Sequence, residues 1–187
     1  MIRWLLLLLG GLLLGGIVHL ATIFILPRTA TQDAYSRLTP IAPVNKVVTL
    51  PEPTPEKALM PYMDPAFAES VCRYDLSQGP LKLSVPLSTA YTSVSFYTNK
   101  DVAYYAINDR AAGRGAIVLD LMTAEQHSEM PENEDITAAD RLIVESPTLT
   151  GLIAIRALAT EPGLMPTAQQ VVAAAQCKKT EEAKASN

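Results

Sequence analysis

TSVSFYTNKDVAYYAI, Thr92 to Ile107, is the stretch whose reading decides the fold. Over Thr92 to Tyr97 the apolar Val94 and Phe96 share one face, the two-residue period of a half-buried strand. Asn99, Lys100 and Asp101 form a turn, and VAYYAI returns as the next strand, so the pair predicts an antiparallel β-hairpin.

Working outward, Leu81, Leu83 and Val85 alternate with Lys82 and Ser84 after the Gly79-Pro80 break, which predicts a strand ahead of the hairpin. Beyond it, NDRAAGRG reads as a connection and AIVLDLM as a further strand. Thr123 with Gln126 makes a capping-box pattern that starts a short helix, AEQHSEM, which Pro131 stops. RLIVES and TGLIAIRALA follow as two strands, and the turn at Pro147 to Thr150 leaves room for a hairpin between them. Thr167 and Gln170 repeat the capping pattern ahead of a closing helix, VVAAAQC. Upstream, Asp64 and Pro65 give a helix start, with AFAESVC as about two turns. About six strands and three short helices predict an α+β domain, residues 64–178, around an antiparallel sheet, followed by a disordered tail at 179–187.

Residues 28–63 carry six prolines from Pro40 to Pro61, with a seventh just beyond at Pro65, and read either as a semi-rigid linker or as an ordered arm along the domain. Ahead of them, residues 1–27 hold WLLLLLGGLLLGGIVHLATIFIL, Trp4 to Leu26, with no formally charged side chain. At about 1.5 Å per residue this helix is about 35 Å long, enough to cross a hydrocarbon core of about 30 Å. A cleaved signal fits less well, because its apolar region is normally about 7 to 15 residues and ends at small residues. The expected topology is a single-pass membrane anchor with the amino terminus inside and the domain outside the cytoplasm. The count of Arg3 against Arg28, Arg37 and Lys46 leans the other way, and the resemblance of a three-residue tail and Leu-rich span to a signal anchor outweighs it. Gly11 and Gly15 form a GxxxG spacing that allows close helix approach.

Of 15 basic residues only Arg3 precedes the span, so 14 stand against 19 acidic ones beyond it, a difference of −5. Such a surface argues against nucleic acid as a partner. Cys72 and Cys177 are even in number and sit in a chain expected in an oxidising compartment. A disulfide between them would close a loop of roughly a hundred residues and contribute about 3 to 5 kcal/mol; two buried thiols are the alternative.

Groups that carry chemistry are sparse. His19 lies in the span, and His127 stands among Glu125, Glu129, Glu132, Glu134 and Asp135, where a solvated acidic loop outweighs a calcium site because EF-hand spacing is absent. No G-x-S-x-G elbow, Walker sequence or G-x-G-x-x-G is present, so no catalytic residue, metal or cofactor is predicted. The densest polar group is Tyr91, Tyr97, Asn99, Tyr104, Tyr105, Asn108, Asp109 and Arg110. From it Tyr97, Asn99, Tyr105, Asn108 and Arg110 are the candidate ligand residues, with Arg110 suited to a carboxylate or phosphate. The plainer reading is a hairpin held by cross-strand tyrosines and closed by Asn and Asp. Arg73 with Asp75 suggests an ion pair, and Arg156, between Ile155 and Ala157, must face outward or meet a buried acid.

The segments YMDPAFAESVCRYDLSQGP, SVSFYTNKDVAYYAINDRAA, LIVESPTLTGLIAIRAL and AAAQC, together with the anchor, resemble short bacterial membrane proteins of the DUF1254 family, over most of Pro61 to Cys177. The resemblance implies a bacterial envelope protein, single-pass in the inner membrane with its β-rich domain on the periplasmic side, often beside a companion domain, DUF1214, that some proteins carry fused. No such companion is seen in this chain, and a separately encoded DUF1214-like protein is the expected partner besides the lipid bilayer. The resemblance supplies no catalytic residues. Two functions are expected to compete: a non-enzymatic accessory module docking another envelope protein through its sheet edge or proline arm, which is favoured, and an enzyme or half-enzyme with a cleft near Tyr97, Asn108 and Arg110.

Overall fold

A computed structural model describes residues 1–29, 33–54, 58–111, 115–130 and 142–180, with side chains from 27 to 29 left aside. Met1–Asp33 and Ala34–Asn187 are separate compact units. The first is one helix, α1 (Ile2–Thr29), whose stretch Ile2–Leu26 is long and apolar enough to cross a membrane by length and composition.

The second unit is β-rich and α+β. In chain order it contains α2 (Ala34–Leu38), β1 (Val47–Thr49), β2 (Phe67–Asp75), β3 (Leu81–Pro86), β4 (Thr92–Thr98), β5 (Ala103–Asn108), a 3-10 turn at Asp109–Ala111, β6 (Ala116–Thr123), α3 (Ala124–Ser128), β7 (Leu142–Ser146), β8 (Thr150–Leu158), α4 (Met165–Ala173) and β9 (Gln176–Lys179). Nine strands among the described residues form two sheets. The first, order β1-β2-β8-β4-β5, is wholly antiparallel; the second, order β7-β6-β3-β9, is antiparallel except for β6 beside β7. Val94, Phe96, Ile153 and Ile155 from the first sheet and Leu83, Val85, Leu119 and Leu121 from the second share one core, to which α4 adds Met165, Ala168 and Val172.

The expected hairpin forms as β4 and β5, pairing Val94 with Ile107 and Phe96 with Tyr105. The register shifts after Phe96, so that Tyr97 meets Ala103 and Tyr104 is the extra residue of a bulge. Both Tyr104 and Tyr105 therefore flank Phe96, with ring centroids 6.1 and 5.8 Å away. The Thr123–Gln126 capping box also forms as expected.

Four local expectations are corrected. AFAESVC is not helical: it is the first half of β2, and Asp64 instead closes a turn by accepting from the Ala66 N–H at 2.9 Å. The strand wins because it is covered on both faces, with Cys72 and Tyr74 in the shared core and Val71 in a second cluster with Leu38, Ala42, Leu50 and Leu152. RLIVES and TGLIAIRALA do not make a hairpin; Pro147 to Leu149 carries the chain from one sheet to the other. The closing helix starts at Met165 with Pro166 in its first turn and no side-chain cap, and it ends before Gln176, so Gln176–Lys179 pairs with β3 as a strand. Residues 181–187 of the expected tail lie outside the described residues.

Arg73 and Asp75 are not partners. Arg73 Nη1 donates to the carbonyls of Thr39 and Ala42, both at 3.0 Å, with its guanidinium 5.0 Å from the Tyr35 ring centre. Asn45 takes a left-handed conformation (φ 58°) and brackets Asp75, accepting from its N–H at 2.9 Å and donating to its carbonyl at 3.2 Å. The stretch before β2 is in this way laid across the outer face of the first sheet, where Tyr35, Val48, Leu59, Met60 and Met63 pack on the second cluster. Cys72 in β2 and Cys177 in β9 are joined by a disulfide, which ties one sheet to the other across 105 residues of sequence.

Candidate functional site

Strand registers alone bring four polar side chains into one line. Glu69 pairs with Arg156, Arg156 with Ser93, and Ser93 with Asn108, so the row crosses β2, β8, β4 and β5 on the outer face of the first sheet. The adjacent row is Val71, Ala154, Ser95 and Ala106, small except at its first position. Short side chains beside longer ones leave a recess of about 460 Å³, lined by Ser93, Ser95, Ala106, Asn108 and Arg156 and bordered by Phe67 and Tyr91. Those two rings meet edge to face with centroids 6.4 Å apart.

Glu69 is 8% exposed, and Arg156 Nε donates to its Oε1 at 2.9 Å. Burial raises the Glu69 pKa above its ordinary 4.5, while the Arg156 charge and hydrogen bond pull it back down. Because the folded value lies above the unfolded one, this group's contribution to stability is full below 4.5 and is lost as pH rises through the raised value. The advantage of the wild type over Glu69→Gln in urea unfolding is thus expected to fall as pH rises through that window; a constant difference would contradict the shift. Arg156→Leu would leave the acid buried without its cation and is expected to cost about 1 to 2 kcal/mol at neutral pH, discounted because Arg156 is half exposed.

Of the five candidate ligand residues, two reach this recess. Asn108 lines it, with its Oδ1 accepting from the Arg110 N–H at 3.2 Å, and Tyr105 borders it while packing on Phe96. Tyr97 packs against the second cluster, Asn99 Nδ2 donates to Thr150 Oγ1 at 3.2 Å, and the Arg110 side chain is not among the lining. Glu69, Ser93 and Ser95 were not singled out in the sequence. The one available signal was Arg156, whose position within an apolar strand calls for an acid, and Glu69 is that acid. His127 sits elsewhere, with Nδ1 2.6 Å from Glu145 Oε1, and Glu132, Glu134 and Asp135 lie outside the described residues.

The recess runs out to β5, an edge of its sheet. Edge strands present unpaired main-chain groups, and proteins blunt them by shortness, proline or charge. β1 has only three residues, β9 ends in Lys178 and Lys179, and β7 carries Glu145. β5, Ala-Tyr-Tyr-Ala-Ile-Asn, has neither charge nor proline, and Val102 just before it is 60% exposed. The bulge affects only its start, leaving Tyr105 to Asn108 in regular register.

The family model described as "Protein of unknown function (DUF1254)" matches residues 44–179. Among solved structures, the chain is similar to the VPA0106 protein from Vibrio parahaemolyticus, with a TM-score of 0.56 and 14% identity over 78% of this chain and 34% of that one. It is also similar to an uncharacterised protein from Burkholderia cenocepacia, at a TM-score of 0.48 and 13% identity over 68% of this chain and 34% of that one. The chain thus spans about a third of the length of either. No curated protein matches it.

Proposed function

The chain belongs to the DUF1254 family of proteins of unknown function, and from that premise we propose that it is a membrane-anchored, non-enzymatic accessory module that docks a second envelope protein along β5. The observation that carries this reading is the edge itself, six residues long and without charge or proline. A partner segment added there would extend the first sheet through main-chain hydrogen bonds, a mode whose affinity does not depend on a catalytic constellation. In the Vibrio protein the similar fold occupies 34% of the chain, which leaves space beside it for further domains. A DUF1214-like protein is the companion we assign here.

Placement in the bacterial inner membrane with the domain on the periplasmic side is part of the proposal. Two features support it: the apolar helix at Ile2–Leu26 and a disulfide suited to an oxidising compartment. The test compares full-length wild type with Ala103→Lys/Ala106→Lys, both positions being exposed. Extracted in mild detergent, the wild type is expected to retain a stoichiometric companion that the double variant loses at unchanged thermal stability. Retention by the variant, or a wild type that co-purifies only with differently tagged copies of itself, would overturn the reading.

A further inference from the structure

We propose that the recess formed by the Glu69–Arg156–Ser93–Asn108 row is a binding site for a neutral saccharide. This goes beyond the docking edge and does not depend on it. Its volume, about 460 Å³, falls in the range of small-molecule sites, about 300 to 1,000 Å³.

Charge selects the ligand class. Arg156 is already neutralised by Glu69, a carboxylate 8% exposed and held at 2.9 Å, so an incoming anion would have to compete with a fixed internal one. Beside the paired Arg156, the recess offers a mixture of uncharged donors and acceptors. The Ser93 and Ser95 hydroxyls can each donate and accept, and Asn108 keeps its Nδ2 as a donor because Oδ1 already accepts from the Arg110 N–H. A ligand that presents many hydroxyls in a compact ring meets such a set on both counts. The Phe67–Tyr91 pair at the border adds an apolar surface for the C–H face of that ring. Ala106 and Ser95, opposite one another in register, keep the floor low enough for a ring to lie against the sheet.

The test uses the full chain in phosphatidylcholine nanodiscs, because alkyl-glycoside detergents would themselves present sugar. Cellobiose, maltose and diacetylchitobiose serve as neutral probes and digalacturonate as the acidic one, with binding followed calorimetrically. At least one neutral disaccharide is expected to bind saturably. Asn108→Ala should weaken it about tenfold, as expected for one lost hydrogen bond. Ser95→Trp, which fills the floor, should abolish it, while Lys82→Ala on the second sheet should leave it unchanged. Near-ultraviolet dichroism of each variant establishes that its fold is intact, and the Asn108→Ala result stands should Ser95→Trp fail to fold. Three results would overturn the proposal: no neutral probe binding, binding indifferent to Asn108→Ala in a folded protein, or binding confined to digalacturonate.

Discussion

Gly151→Ala is expected to destabilise the domain by about 3 kcal/mol or more, at the upper end of overpacking effects. Gly151 lies in β8 between Tyr74 of β2 and Thr98 of β4. Over this gap the Tyr74 side chain crosses to the next strand but one, its hydroxyl donating to the Tyr97 carbonyl at 3.2 Å and meeting Ser146 Oγ at 3.0 Å and the Tyr104 hydroxyl at 3.2 Å. A Cβ on Gly151 would fall on the Tyr74 hydroxyl and on the Tyr97 carbonyl oxygen, and the second of these is main chain and has nowhere to move. Burial also drives the Tyr104 phenol well above its ordinary pKa, so this group stays protonated and keeps its role as donor. Urea unfolding of Gly151→Ala should show the loss at unchanged slope. Adding Tyr74→Phe should restore only part of it, since the Tyr97 carbonyl and the ring carbon Cζ at position 74 remain in the way; full restoration would mean that the hydroxyl alone was the obstacle.

Removal of the disulfide ranks next. Cys72→Ala/Cys177→Ala is expected to cost about 3 to 5 kcal/mol, chiefly by returning to the unfolded chain the freedom of a long loop. Both sulfurs are in the core, Cys72 wholly buried and Cys177 nearly so, and alanine there leaves only a small void. The same loss should appear when the wild type is unfolded under reducing conditions. A double variant as stable as the wild type would mean that the crosslink is absent in solution, which alkylation with and without prior reduction would register as two free thiols. Against a total stability of order 5 to 15 kcal/mol, either change is a large fraction.

How far the sequence could be read depends on how local each signal is. The β4–β5 hairpin, β3, β6 and the Thr123 cap were legible because alternation, turn residues and capping lie within a few positions of one another. β2 was not. Its residues from Ala68 to Cys72 are buried in succession, which erases the two-residue period, and Asp64-Pro65 ahead of it mimics a helix start. Glu69 can occupy that strand because Arg156, remote in sequence, lies opposite it. The division into two sheets was illegible for the same reason, since β6 with β7 and β2 with β8 are pairings no neighbouring residue announces. In the recess, Asn108 carried a signal as a polar strand end, whereas Ser93, Ser95 and Ala106 matter by being small, a property with no mark in a single sequence.

The position of β8 also sets a timetable. It lies between β2 and β4, and β3 waits likewise for β9, so strands from the first half of the domain are completed by the last ones made. Closing such pairings requires long loops to form first, which slows folding. A chain delivered amino terminus first therefore cannot close its central sheet until Leu158 has emerged, nor its crosslink until Cys177 follows. For a domain exported as proposed above, this order keeps the chain open until its last strand is through.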